Sequence, residues 1–308
     1  MALRVVWPAE EIEEKPFIET LLHQKAFAEA PEDVQLLVYS GIQKKPSPEI
    51  FAVARSKHSA RRVLLHLSDE KLRHQNQLYS SFDLVIRNYF DPRLAWRSNV
   101  FAFPLGWTSG FGSLLPAQER PVEFVWSFLG ATKGDRELMV ESFRQVGPSY
   151  QHFSSGWNAH DQLVPQQVRE IYEKSVFGLC PPGNAHLDTF RVMEVLEAGA
   201  IPVTKKFLGR DLFRYTFGDH PFLVAETWAD AASEVQNIAN NPQALHAKRT
   251  ETRSWYQRYR AQLFSDFAML VLGDTRVRQA KPYSLQRSAL FDIGLQLRFW
   301  HEFKRYGR

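Results

Sequence analysis

The sequence predicts an α/β protein made of two tandem units, each with a largely parallel sheet. Short apolar runs alternate with helical stretches through the first third of the chain, and the same alternation restarts in the second half. Between them the periodicity stops at 110–122, where Gly110, Gly112, Pro116 and Pro121 interrupt any helical stripe. At 308 residues the chain also has the length for two domains, at about 100 to 200 residues each. The expected division is 1–115, 116–285 and a basic amphipathic tail over 286–308.

Element by element, LRVVW opens the first unit as a strand and EEIEEKPFIETLLHQKAFAEA follows as a helical stretch. VQLLVY, RRVLLHLS, FDLVIRNYF and NVFAFPLG read as further strands, with PEIFAVARSK helical between the first two. In the second unit, VEFVWSFLG, YQHFSS, VFGLC and AIPVTKK are strands. RELMVESFRQV, PQQVREIYEKS with Pro165 at its start, and LDTFRVMEVLEAG are the helices between them. After Asp230 the pattern is helical (ADAASEVQNIANN, then PQALHAKRTETRSWYQRYRAQLFSDFAMLVLG), and SALFDIGLQLRFWHEFKRYGR is a last amphipathic segment.

Hydrophobic residues at 44% and charged residues at 23% leave ample material for a core and exclude a disordered or disulfide-scaffold chain. No apolar run reaches about 18 residues, and Glu10, Glu11, Glu13 and Glu14 precede any apolar core that an export signal would need. Cys180, the single cysteine, cannot form an intrachain disulfide, so the expected compartment is the cytoplasm. Thirty-eight Lys/Arg against 34 Asp/Glu give a net +4, too little to imply a nucleic-acid partner. Over 280–308 six basic residues (Lys281, Arg287, Arg298, Lys304, Arg305, Arg308) face two acids, Asp292 and Glu302, so this stretch carries the whole excess. It fits either a helix packing back across the domain junction or an interfacial helix in peripheral contact with anionic lipid.

The most informative stretch is 172–203, YEKSVFGLCPPGNAHLDTFRVMEVLEAGAIPV. A buried strand ends in Pro181-Pro182-Gly183, crosses a polar loop through Asn184, and enters a helix capped near Asp188 or Thr189. Free backbone N–H groups and a dipole of about half a positive charge make such a helix start an anion site. Arg191, in the first turn, can hold two phosphate oxygens with its guanidinium fork. Glu194, three residues on, shares that helix face and suits the diol of a ribose. The plainer alternative is an ordinary N-cap at Asp188, a surface pair between Arg191 and Glu194, and a C-cap at Gly199.

The string Tyr172, Ser175, Phe177, Leu179, Cys180, Pro181, Gly183, Asp188-Thr189-Phe190-Arg191, Glu194, Gly199, Ile201-Pro202-Val203 resembles the signature of exostosin-type glycosyltransferases, glycosyltransferase family 47 and relatives. Thr189 stands where Ser is usual and Ala200 where Cys is common. Phe128-Leu129-Gly130 followed by Arg136, and Pro221-Phe222 followed by Trp228, resemble flanking elements of that family, so the resemblance spans roughly 124–240. It implies a GT-B fold, two Rossmann-like domains facing a cleft, with acceptor on the N-terminal side and nucleotide sugar on the C-terminal side. It further implies inversion, no obligatory metal or other cofactor, and a nucleotide-sugar donor, UDP-sugar foremost. No two Asp residues are spaced Asp-x-Asp, the arrangement through which metal-dependent relatives hold a diphosphate. Donor-binding residues by this resemblance are Gly130, Lys133, Arg136, Pro182, Gly183, Asn184, Asp188, Thr189, Arg191 and Glu194.

Inverting transfer needs a base for the acceptor hydroxyl, usually at the C-terminal end of an N-domain strand. VLLHLSDE supplies His66, Asp69 and Glu70 there, and Asp69 or Glu70 is the expected base. His66 with Arg87, Asn88 and Trp107 would hold the acceptor, a glycan or glycan-lipid; the stretches IRNYF and FPLGW are similar to the ribitol xylosyltransferase branch near the exostosins. Each of these residues could equally be a solvated strand-end charge, and Trp107 a buried aromatic. A relative that has lost catalysis and serves as a nucleotide- or glycan-binding scaffold is the alternative function.

Overall fold

A computed structural model describes residues 3–8, 11–29, 34–41, 48–55, 60–72, 76–89, 91, 94, 97–108, 111, 121–156, 159–274, 293–294 and 297–298. Except for those last four positions, the tail over 286–308 and both readings of it lie outside the described residues.

Five apolar runs make the first sheet: β1 (Arg4–Val6), β2 (Val34–Ser40), β3 (Arg61–Leu67), β4 (Leu84–Arg87) and β5 (Val100–Ala102). They lie in sequence order and every neighbouring pair is parallel. The central strands are almost continuously apolar because a parallel sheet is covered on both faces. The β2–β3–β4 register places Tyr39 beside His66 and His66 beside Arg87, a polar row at the C-terminal ends of strands whose middles are aliphatic.

The helical stretch expected after β1 is two helices, α1 (Lys15–Leu22) and α2 (Lys25–Ala28). Gln24 takes an extended backbone between them, and its side-chain amide donates to the Leu21 carbonyl at 2.8 Å. Helix α3 (Pro48–Arg55) follows β2, and a 3-10 helix over Asn76–Ser81 precedes β4.

The second sheet holds β6 (Phe124–Leu129), β7 (Ser149–His152), β8 (Ser175–Leu179), β9 (Ile201–Lys205) and β10 (Leu223–Ala225), in the order β10-β9-β8-β6-β7, all parallel. Helices α4 (Arg136–Ser142), α5 (Pro165–Glu173), α6 (Phe190–Glu197), α7 (Arg214–Phe217) and α8 (Trp228–Ala239) complete this part of the chain. Neither β10 nor α7 is legible in the sequence, since three or four residues are too short to show a period. The core joins Trp126, Phe128, Phe143, Phe177 and Trp228. Both indoles in it are satisfied, Trp126 by the Val146 carbonyl at 2.7 Å and Trp228 by Asp135 at 3.0 Å. A Cβ at Gly178, mid-β8, would overlap Val195 of α6, so this glycine lets the helix lie close on the strand.

From β6 the chain moves outward to β7, then crosses back to β8 on the other side. The order therefore reverses at β6, and the loops leaving β6 and β8 diverge at their carboxyl ends, where α/β sheets bind ligands.

Helix α9 (Pro242–Leu272) is the longest element. By compactness the chain divides at different places from the expected boundaries. One unit is Met1–Leu105, Phe213–Gly218 and Arg260–Arg308; the other is Gly106–Leu212 and Asp219–Tyr259. The later half of α9 belongs to the first unit because Phe267 packs on Phe27 and Phe103 at ring distances of 5.9 and 5.6 Å. Arg61 of β3 also donates to the carbonyls of Leu270 and Val271, each at 2.9 Å, capping the helix end. No described helix is long and apolar enough to cross a membrane.

Candidate functional site

The reversal at β6 gathers the residues of the quoted motif. Strand β6 ends at Leu129, and Gly130 turns the chain with a positive φ of 147°. A Cβ on Gly130 would overlap the Arg191 guanidinium, so glycine is required here for conformation and for room. Arg191 donates its Nε to the Leu129 carbonyl at 2.6 Å, and its guanidinium lies 5.5 Å from the Phe128 ring centre. One nitrogen thus anchors the side chain. Its two terminal nitrogens have no hydrogen bond among the described residues, which leaves the fork for an anion.

Arg136 is placed otherwise. It is buried, and its fork spans two loops, Nη1 to the Ala131 carbonyl at 2.6 Å and Nη2 to the Pro182 carbonyl at 3.0 Å. Lys133 bridges the same two loops through Asn184. The Gly183 N–H donates to the His186 carbonyl at 2.8 Å, and the Asp188 N–H to His186 Nδ1 at 3.0 Å. These bonds fix the loop walls on each other. Arg136 and Lys133, expected to meet the diphosphate, tie the loops after β6 and β8 to each other.

Thr189 is the N-cap of α6, with extended φ −144° and ψ 154°, but its hydroxyl makes no cap bond. That hydroxyl is buried and has no hydrogen-bond partner among the described residues. An unsatisfied buried hydroxyl costs about 1–3 kcal/mol, so a ligand that accepts from it gains by doing so. Asp188 beside it is pushed up to about 7 by burial, against one backbone hydrogen bond at Thr189 that favours the ionised form. Glu194 is also buried and raised by burial. Its Oε1 accepts from the Thr108 hydroxyl at 3.0 Å, which with Arg191 holds the rise back. The surface pair between Arg191 and Glu194 does not form; each finds another partner. Burial also pushes the Cys180 thiol far up, so it stays a neutral core residue.

In the first unit the loops after β1, β3 and β4 meet at the C-terminal edge of the sheet. Arg87 is fully buried. It donates to Asp69 at 3.0 Å and to the Tyr79 hydroxyl at 2.8 Å, and Tyr79 also bonds His66 Nδ1 at 2.5 Å. His66 stacks on Tyr39 at 4.7 Å. The structure thus brings His66, Asp69 and Arg87 together, but as an interior network with one Asp69 oxygen committed to Arg87. Glu70 is half-buried beside them. Trp107, for which a sugar platform and a buried aromatic were both open, falls in the second unit and is 2% exposed, as the second reading has it.

Glu14 is the residue that the sequence reading missed. It sits in the loop between β1 and α1, 1% exposed, and its Oε1 accepts from Ser68 Oγ at 2.6 Å and Asn88 Nδ2 at 3.2 Å. Its Oε2 is buried with no partner among the described residues. Burial raises its carboxyl above the usual range although both hydrogen bonds oppose the rise. The signal was an acid after the first strand, hidden among four in five residues.

Among the described residues no group of three or more His, Cys, Asp or Glu side chains is placed to hold a metal ion. No family model matches the chain, and no curated protein is similar to it in sequence. Solved structures resemble it in fold. TarM is 10% identical at a TM-score of 0.51, covering 80% of this chain and 56% of its own. T4 phage BGT, crystallised with its UDP-glucose substrate, is 11% identical at 0.44, covering 89% and 100%. An α1,3-fucosyltransferase with GDP is 14% identical at 0.45, covering 89% and 91%. The fold is α/β, of the GT-B class.

Proposed function

We propose that the chain is an inverting glycosyltransferase that works without a metal, moving a sugar from a nucleoside diphosphate, UDP foremost, to a hydroxyl of a glycan or glycan-lipid acceptor. The exostosin-type assignment rests on the quoted motif. The observation that carries the function is the Arg191 fork, anchored through Nε at the strand reversal with its terminal nitrogens left over, beside an unpartnered Thr189 hydroxyl and the start of α6. These groups fit a diphosphate: a bidentate cation, a hydroxyl donor and a helix dipole.

In a single displacement the acceptor oxygen attacks the anomeric carbon as the bond to the diphosphate breaks. Charge then grows on the leaving oxygen, where Arg191 and α6 stabilise it without rearranging. Arg136 and Lys133 keep the two loops at a fixed spacing, and Glu194, positioned by Thr108, holds the ribose. The base comes from the first unit, where Asp69 and Glu70 are the sequence-based choices. A cytoplasmic site of action, with the basic tail touching a membrane when the acceptor is lipid-linked, completes the proposal.

Release of UDP from UDP-glucose, UDP-galactose, UDP-N-acetylglucosamine and UDP-xylose, with p-nitrophenyl glycosides as acceptors, tests this. Turnover of one donor that persists in EDTA is expected. Strict dependence on Mg²⁺ or Mn²⁺ contradicts the metal-free scheme. The commitment of Asp69 to Arg87 favours one other reading, a nucleotide-binding relative without catalysis, which would bind UDP and turn over no donor.

A further inference from the structure

Three loops of the first unit converge on one carboxyl group. Glu14 belongs to the loop after β1, Ser68 to the loop after β3 and Asn88 to the loop after β4, and both neighbours donate to the same oxygen, Oε1. Asn88 also accepts from the Ser68 backbone N–H at 3.0 Å, so the cradle is closed on itself. Its backbone is strained. Ser68, Leu72 and Tyr89 all have positive φ, at 58°, 50° and 49°, a conformation that costs non-glycine residues of order 1–3 kcal/mol and concentrates at functional sites. Gly41, after β2, lies against the Ser68–Asp69 backbone, since a Cβ there would come within 2.7 Å of the Asp69 Cα.

All of this holds Oε1. Oε2 is buried without a partner among the described residues, a state that folding alone does not reward. A glutamine would satisfy Ser68 and could satisfy Asn88 equally well, so the fold does not demand an acid here. A second oxygen that is desolvated, oriented by its twin and uncommitted is what a proton acceptor needs. Asp69, by contrast, is committed to Arg87.

We infer that Glu14, in place of Asp69 or Glu70, is the base of the transfer reaction. The inference rests on the activity proposed above. As the acceptor oxygen forms its bond to the anomeric carbon, the hydroxyl proton passes to Glu14 Oε2, and the electron pair of the breaking bond leaves with the nucleoside diphosphate. The neutral carboxylic acid then returns its proton to water. Burial, which raises the Glu14 carboxyl, increases its affinity for that proton.

The test uses the full chain, the donor panel and the p-nitrophenyl acceptors named above. Glu14→Gln keeps an oxygen for Ser68 and Asn88 and removes the base. UDP affinity and melting temperature are expected to stay near wild type while transfer falls about 100-fold or more. Glu14→Ala, assayed with added formate or azide, should regain part of the lost rate, which a purely structural residue would not. Wild-type rates in Glu14→Gln overturn the inference alone and return the role to Asp69 or Glu70. If Glu14→Gln does not fold, Glu14→Ala unaffected by either anion overturns it. Absence of transfer by the wild-type protein with every donor overturns the glycosyltransferase reading and this inference with it.

Discussion

The two strand-end loop clusters are built on opposite plans. In the second unit, side chains are spent largely on backbone, Arg136 on the carbonyls of Ala131 and Pro182 and Arg191 on that of Leu129, beside the side-chain pairs Lys133–Asn184 and Thr108–Glu194. In the first unit they are spent on each other, with Arg87 on Asp69 and Tyr79, and Glu14 on Ser68 and Asn88. Backbone carbonyls cannot be mutated away, so the first plan gives a durable frame around the Arg191 fork. The second plan gives a buried polar network that is worth much when complete and costs much when one member is lost.

Removing Arg87 probes that contrast most severely. Arg87→Ala leaves Asp69 buried without its cation and is expected to cost about 3–5 kcal/mol in urea unfolding. A loss under about 1 kcal/mol would show that the network is not a unit. In the second unit the corresponding test is Gly130→Ala, which forces Arg191 aside and strains a positive φ. Here stability should fall by only about 1 kcal/mol, while UDP affinity in titration calorimetry falls about tenfold or more. Unchanged affinity would mean that the Arg191 fork can move without consequence.

A third test is a slope with pH. Asp188 keeps its proton to about pH 7 in the folded chain but releases it near the ordinary 3.8 when unfolded. The folded state therefore binds the extra proton between those values, and stability falls as pH rises from about 4 to about 7 and then levels off. Glu14 and Glu194, also raised, act in the same direction. Asp188→Asn should flatten the slope in thermal melts across that window. An unaltered slope would assign it to other carboxyls.

The same contrast explains what could be read in advance. The second-unit cluster was legible because most of it lies within one strand-loop-helix segment, where Thr189, Arg191 and Glu194 keep fixed spacings, with Gly130 contributed by the separate turn after β6. Even there the sequence did not distinguish Arg136 and Lys133 as loop braces from ligand contacts, since that depends on which carbonyls fold beneath them. The first-unit cluster brings together Glu14, Ser68 and Asn88 from separate loops, a coincidence that no local pattern records. His66, Asp69 and Arg87 were found because they end consecutive strands, but their mutual burial follows from the β3–β4 register. Trp107 was left between two readings for the same reason, because an aromatic beside a strand end looks identical whether its ring faces a sugar or the core.

A thermal-shift titration with UDP, on the wild-type chain and on Arg191→Ala, tests the central claim that the strand reversal in the second unit is a nucleoside diphosphate site. A ligand at 100 times its Kd adds about 2.7 kcal/mol to the folded state, several degrees in melting temperature. The expected result is such a shift with UDP for the wild-type chain and none for a folded Arg191→Ala. Equal shifts in both proteins, or no shift in either, would contradict it.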